Sequence, residues 1–119
     1  MLVTAELAKS TPRIGAFDNA KDFSEIPVSF KLFDPVGAYT YYVCEFSPDD
    51  EDDPNEGGKV WGYVTGMPYH EVGYTLLSQM REAMPPTPQR MFLGIERDRH
   101  WPYSKTPTLA DIVEEYPTP

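Results

Sequence analysis

A chain of 119 residues and 13.5 kDa can bury one hydrophobic core but is too short for two, so we expect a single domain over residues 1–119. Hydrophobic residues at 40% and charged residues at 24% are ordinary globular usage, and thirteen prolines with eight glycines exclude a long-helix bundle in favour of short elements and many turns. A net charge of -9 and a pI near 4.5 repel phosphate backbones and exclude direct nucleic-acid binding over a broad basic surface.

Cys44 is the single cysteine, which rules out an internal disulfide, a cysteine zinc cluster and a thiol redox pair. Residues 1–10 carry no basic stretch followed by an apolar run, and nowhere do about 18 apolar residues stand together. We therefore expect a cytoplasmic protein that does not cross a membrane.

In chain order, Thr4 is placed to cap a short helix through Ala5, Glu6 and Leu7 that stops before Pro12. From Gly15 to Pro27 no regular element is predicted, and Phe17 and Phe23 are expected to anchor the stretch in the core. Period-two alternation starts at Val28 and continues through Phe30 and Leu32 to the turn Asp34-Pro35-Val36-Gly37, giving a first strand. Tyr39–Phe46, rich in aromatic and β-branched residues, is the second strand and forms a hairpin with the first.

Six of the nineteen acidic residues then crowd into Asp49–Glu56. A calcium loop counted from Asp49 would need glycine and glutamate where Pro54 and Val60 stand, so the segment is read as a solvated connection, dispensable for folding. Lys59–Thr65 is a third strand, with Trp61, Tyr63 and Thr65 opposite Val60 and Val64, and Val72–Leu77 is a fourth. Leu76, Leu77, Met80 and Met84 fall at helical spacing around a short helix over 78–83, ended by Pro85-Pro86. Phe92–Asp98 is a fifth strand or extended edge. Thr108 with Asp111 caps a last helix, on which Leu109, Ile112, Val113 and Tyr116 form one stripe. The fold expected is α+β: an antiparallel meander of four to five strands with short N-terminal, middle and C-terminal helices.

Catalytic signatures are incomplete. Ser78 and Ser104 lack a nucleophile-elbow setting, Gly62, Gly66 and Gly73 do not make a phosphate loop, and Cys44 lies inside an apolar strand as a small core residue. No metal or cofactor is therefore expected. The densest polar run is Glu96-Arg97-Asp98-Arg99-His100-Trp101, where an extended backbone puts Glu96, Asp98 and His100 on one side and Arg97, Arg99 and Trp101 on the other. His70 and Glu71 stand in the turn before the fourth strand. Among the rings Tyr39, Tyr41, Tyr42, Trp61, Tyr63, Tyr69 and Tyr74, most are expected to pair across the sheet, and those left exposed mark a partner surface.

Leu2-Val3-Thr4 before a helix, Lys31-Leu32-Phe33, Thr40–Phe46, Val60–Gly66, Glu71-Val72-Gly73-Tyr74, Leu77-Ser78 and Ile95-Glu96-Arg97-Asp98 occur in this order. Together they make residues 2–116 resemble the family catalogued as domain of unknown function 2958, small bacterial proteins often carried on plasmids, phages and other mobile elements. The acidic loop is longer than the family pattern, and Pro85–Arg90 replaces a glycine-containing connection. The resemblance implies a genetic setting and no activity.

The expectation drawn from these residues is a non-enzymatic protein-interaction module with an unidentified protein partner. Its binding patch would join Glu71, Tyr74, Glu96, Arg97, Asp98, His100 and Trp101, with Arg97 holding Glu71 as the fourth and fifth strands meet. The alternatives are an acidic nucleic-acid mimic that inhibits a host defence enzyme, and a small metal-dependent or carboxylate-based hydrolase.

Overall fold

Thr4 and Thr108 begin two helices by the same local chemistry. In the computed structural model, which describes residues 2–20, 22–66, 70–90 and 94–117, the Thr4 hydroxyl accepts the Leu7 N–H at 3.1 Å and starts α1 (Ala5–Ser10). Thr108 accepts from Asp111 N–H at 3.3 Å while the Asp111 carboxylate accepts the Thr108 N–H at 2.8 Å, starting α3 (Leu109–Glu115). Each cap satisfies amides that the first helical turn leaves without partners. The middle helix, α2 (Leu77–Ala83), follows a strand without a break.

The strands are β1 (Phe30–Phe33), β2 (Thr40–Pro48), β3 (Gly58–Thr65), β4 (Glu71–Leu76) and β5 (Glu96–Arg97). They pair antiparallel throughout in the spatial order β4-β3-β2-β1-β5. The predicted α+β meander is thus the architecture, with the late strand returning beside β1. The expected start of that strand at Phe92 lies outside the described residues, and the strand proper is only Glu96–Arg97.

Both faces of the sheet are covered. On the first, Phe30, Leu32, Tyr41, Val43, Phe46, Val60 and Val64 pack with Leu2, Val3, Ala8, Leu77, Met80, Met84 and Ile95. On the second, Val28, Tyr42, Cys44 and Tyr63 pack with Ile26, Leu109 and Ile112. Two-sided burial is why Tyr41–Phe46 is a continuous buried run instead of an alternating one. Phe17 packs against the second core as expected, whereas Phe23 is 39% exposed; it sits in a 3-10 turn capped by Asp22 on the rim of the core.

A β-bulge in β2 shifts the register between Val43 and Glu45. The extra residue reverses side-chain parity, so Val43 and Phe46, three apart, share the first face, and Glu45 faces Trp61 on the second. Gly62 sits opposite Val43 beside this bulge, where a Cβ would stand 1.9 Å from the Tyr42 carbonyl oxygen. Only glycine fits there.

The acidic loop is held at its far end. Asn55 Oδ1 accepts the Leu2 and Val3 N–H groups at 2.6 and 3.0 Å, and Arg81 of α2 donates to the Asn55 and Glu56 carbonyls at 2.5 and 2.9 Å. Pro54 is buried, while Asp49–Asp53 are exposed. The expectation of a dispensable connection therefore applies to the five exposed acids and not to Asn55, which ties the segment before α1 to α2. Among the described residues no helix is long and apolar enough to cross a membrane.

Candidate functional site

The strand order separates the residues expected to form one patch. Glu71 and Tyr74 lie on β4 at one edge of the sheet, and Glu96 and Arg97 lie on β5 at the other, with β3, β2 and β1 between. The shared site is overturned: β5 pairs with β1, through Leu32–Arg97 and Phe33–Glu96, and never reaches β4. Arg97 instead donates from Nε to the Leu2 carbonyl at 2.9 Å. Its guanidinium pKa is lowered by burial and by the neighbouring charge of Arg99. Glu71 is exposed at the start of β4.

The expected alternation through Asp98, His100 and Trp101 also breaks. The chain turns at Asp98, whose carboxylate accepts the His100 N–H at 3.0 Å and whose carbonyl accepts the Trp101 N–H at 3.4 Å. Such a turn is a common use of aspartate. It brings Asp98 and Trp101 together around Lys31, leaving His100 exposed. Lys31 Nζ is 3.8 Å from the Asp98 carboxylate and 5.7, 5.9 and 5.8 Å from the ring centroids of Tyr42, Trp101 and Tyr103. Trp101 Nε1 donates to the Val28 carbonyl at 3.2 Å, and the Tyr103 hydroxyl donates to Asp98. Burial alone would raise the Asp98 carboxyl, but the Tyr103 and His100 hydrogen bonds and the Lys31 charge outweigh it and hold its pKa below the ordinary value. This box is filled by the chain's own lysine.

The other gathering of exposed rings is at the β4 edge. Tyr74 is 53% and Leu76 40% exposed; two positions apart on one strand, they project to the same side. That side is the second face, because Tyr74 pairs with Trp61, the two ring centroids lying 6.4 Å apart. Phe17, Phe23, Trp61 and Tyr74 wall a cleft of about 270 Å3, with Asp18 and Glu45 supplying carboxylates. The bulge aims Glu45 there: it is 2% exposed, and its two carboxylate oxygens accept Gly15 N–H at 3.0 Å and Phe17 N–H at 2.9 Å. Gly15 has φ +95, a left-handed conformation that lets the loop present both amides. No motif in the sequence marks Glu45; its visible signal is a charged residue inside an apolar strand.

The β4 strand is tied to β2 by one side-chain hydrogen bond. The Tyr41 hydroxyl reaches across from β2 and donates to the Gly73 carbonyl, and burial raises the pKa of that phenol. Gly73 itself faces open space. Thr75 and Tyr39 border a wider hollow of about 490 Å3 on the first face, together with Asp34, Gln79, Met80 and Met84.

The Cys44 thiol is fully buried in the second core, and that burial pushes its pKa up to about 12. His70 packs edge-on against Tyr116 at 5.9 Å, at the opposite sheet edge from His100. Among the described residues, no three of His, Cys, Asp and Glu gather so as to hold a metal ion. No family model matches the chain, and no curated protein or solved structure matches it.

Proposed function

We propose that the chain is a non-enzymatic protein-interaction module whose partner adds an extended strand to β4. The observation that carries this reading is the contrast between the two sheet edges. β5 is two residues long, both charged, and ends in the Asp98 turn, which is how proteins blunt an edge against pairing. β4 is six residues long and unbroken against β3, with no proline, no bulge and no charge from Val72 to Leu76. Among the described residues no strand pairs on the outer side of β4, and although the Leu76 N–H donates to Gln79 Oε1 at 3.4 Å, such an edge offers backbone donors and acceptors along the rest of its length, while the side chains of an added strand find pockets on either face.

Tyr74 and Leu76 supply apolar contact beside that edge, and tyrosine gives large area at small entropic cost. The hydrolase alternative needs Glu71, Glu96 and Asp98 together, which the sheet order opposes. The decoy alternative needs carboxylates spread over one face, whereas six are concentrated in residues 49–56. The mobile-element or bacterial accessory setting implied by the family resemblance suits a module that engages a host protein, and is part of the proposal.

The test is site-specific photo-cross-linking in lysate of the source cell. Benzoylphenylalanine at Tyr74 should capture a discrete partner, and benzoylphenylalanine at Tyr103, exposed at the other edge, should not. Adding Leu76→Ser, a residue suited to the N-cap of α2, should abolish the capture while the protein stays folded with a melting temperature close to the parent's. Equal capture from both positions, or capture indifferent to Leu76→Ser, overturns the reading.

A further inference from the structure

The second face of the sheet carries two boxes of similar composition. Near β5, three rings and one carboxylate surround the Lys31 ammonium. Near β4, the rings of Phe23, Trp61 and Tyr74 stand with the carboxylates of Asp18 and Glu45 around an open cleft. Aromatic faces and a nearby carboxylate attract an ammonium through the ring quadrupole and through charge. The first box shows this chain using that chemistry on its own lysine. Among the described residues no lysine or arginine lines the second. Lys59 Nζ lies 4.7 Å from the Tyr74 ring centroid, yet Lys59 is not part of the cleft lining.

We infer that the cleft receives a lysine side chain from the strand that docks on β4, which makes the partner segment basic. The inference rests on the strand-addition reading and deepens it. Size favours one side chain over a drug-sized ligand, because about 270 Å3 lies below the usual small-molecule range of roughly 300–1,000 Å3. Charge agrees locally, since the only charged groups in the described cleft lining are the carboxylates of Asp18 and Glu45, which attract a basic side chain. Geometry agrees as well: Tyr74 belongs both to the edge and to the cleft wall, so one residue of an added strand lies beside the opening. Asp18 is exposed at the rim and Glu45 is buried with both oxygens hydrogen-bonded, so an entering ammonium meets a carboxylate at the rim before it reaches the fixed one inside.

The probe is Nα-acetyl-lysine methylamide, titrated into the 15N-labelled protein and followed by NMR, with the norleucine analogue as the uncharged match. The lysine probe should give saturable shifts at the Trp61 indole N–H and the Gly15 and Phe17 amides. The norleucine probe should bind roughly tenfold more weakly, as loss of a partly desolvated cation–π contact predicts. Asp18→Asn and Tyr74→Ala, both at exposed positions, should each weaken the lysine probe several-fold and leave the fold intact. Equal affinity for the two probes, shifts that centre on Trp101 instead of Trp61, or no saturable shift overturns the inference. Because neither probe is long enough to pair as a strand, failure here leaves the edge-docking reading standing. Loss of the Tyr74 cross-link specificity, conversely, defeats that reading whatever the probes do.

Discussion

Replacing Asn55 by alanine should destabilise the protein far more than removing any of the acids beside it. Asn55 Oδ1 is the acceptor for two amides, Leu2 N–H and Val3 N–H, whose residues are 8% and 0% exposed. Leaving a buried donor unsatisfied costs about 1–3 kcal/mol. Leu2 borders a cleft shared with Asn55 and Arg81, where water can replace part of the lost bond, so the two amides together should cost about 2–3 kcal/mol. For a domain of this size 1 kcal/mol moves the midpoint by about 3–5 °C, which makes the expected fall in Tm roughly 10 °C. Urea unfolding should show a lower midpoint with an unchanged slope. Asn55→Asp keeps an acceptor oxygen near Arg81 Nη2, which donates to Asn55 Oδ1 at 3.3 Å, and should stay within about 1 kcal/mol of the parent. Exchanging Asp49–Asp53 for glycine and serine while keeping Pro54–Gly58 should also be nearly neutral. An Asn55→Ala variant within 0.5 kcal/mol of the parent, taking roughly that value as the ordinary surface range, would refute the clasp.

Arg97→Ala should cost about 1–2 kcal/mol, because the half-buried guanidinium holds a carbonyl and leaves no carboxylate stranded; chemical denaturation checks this, and a loss above about 3 kcal/mol would indicate a buried ion pair instead. Gly62→Ala should remove more than about 3 kcal/mol or prevent folding, since backbone cannot move away from a Cβ 1.9 Å from the Tyr42 oxygen; normal expression with an unchanged Tm would contradict the close approach. The Asp98 carboxyl has a folded pKa below its ordinary 3.8. Its contribution is therefore fully present above the unfolded pKa and is lost as pH falls through the folded one. Asp98→Asn should accordingly flatten the acid limb of the stability profile below about pH 4, and a profile parallel to the parent's would count against the Lys31 box as an electrostatic unit.

Local chemistry was legible in the sequence wherever neighbours in the chain decide the outcome. Thr4 and Thr108 cap their helices by bonding amides three residues on, and Asp34-Pro35-Val36-Gly37 turns β1 into β2. The third strand's split, Trp61 and Tyr63 against Val60 and Val64, follows from period two alone. The candidate patch was not legible in the same way, because Glu71 and Arg97 stand 26 positions apart and either sheet edge could accept the last strand. Nor was the exposure of Phe23, which depends on where the 3-10 turn ends relative to the core.

Composition, periodicity and capping by themselves determined an α+β fold with antiparallel sequential strands, since each of those features acts over a few residues or over the chain as a whole. Only the tertiary structure decided that β5 joins β1 and that, among the described residues, no strand pairs outside β4, that a bulge turns Glu45 toward Trp61, and that Asp98 and Trp101 close around Lys31. The physical reason is that these are contests between distant partners. Edge choice, strand register and ring packing depend on which surfaces remain unburied once the rest of the sheet has formed, and no local propensity records that.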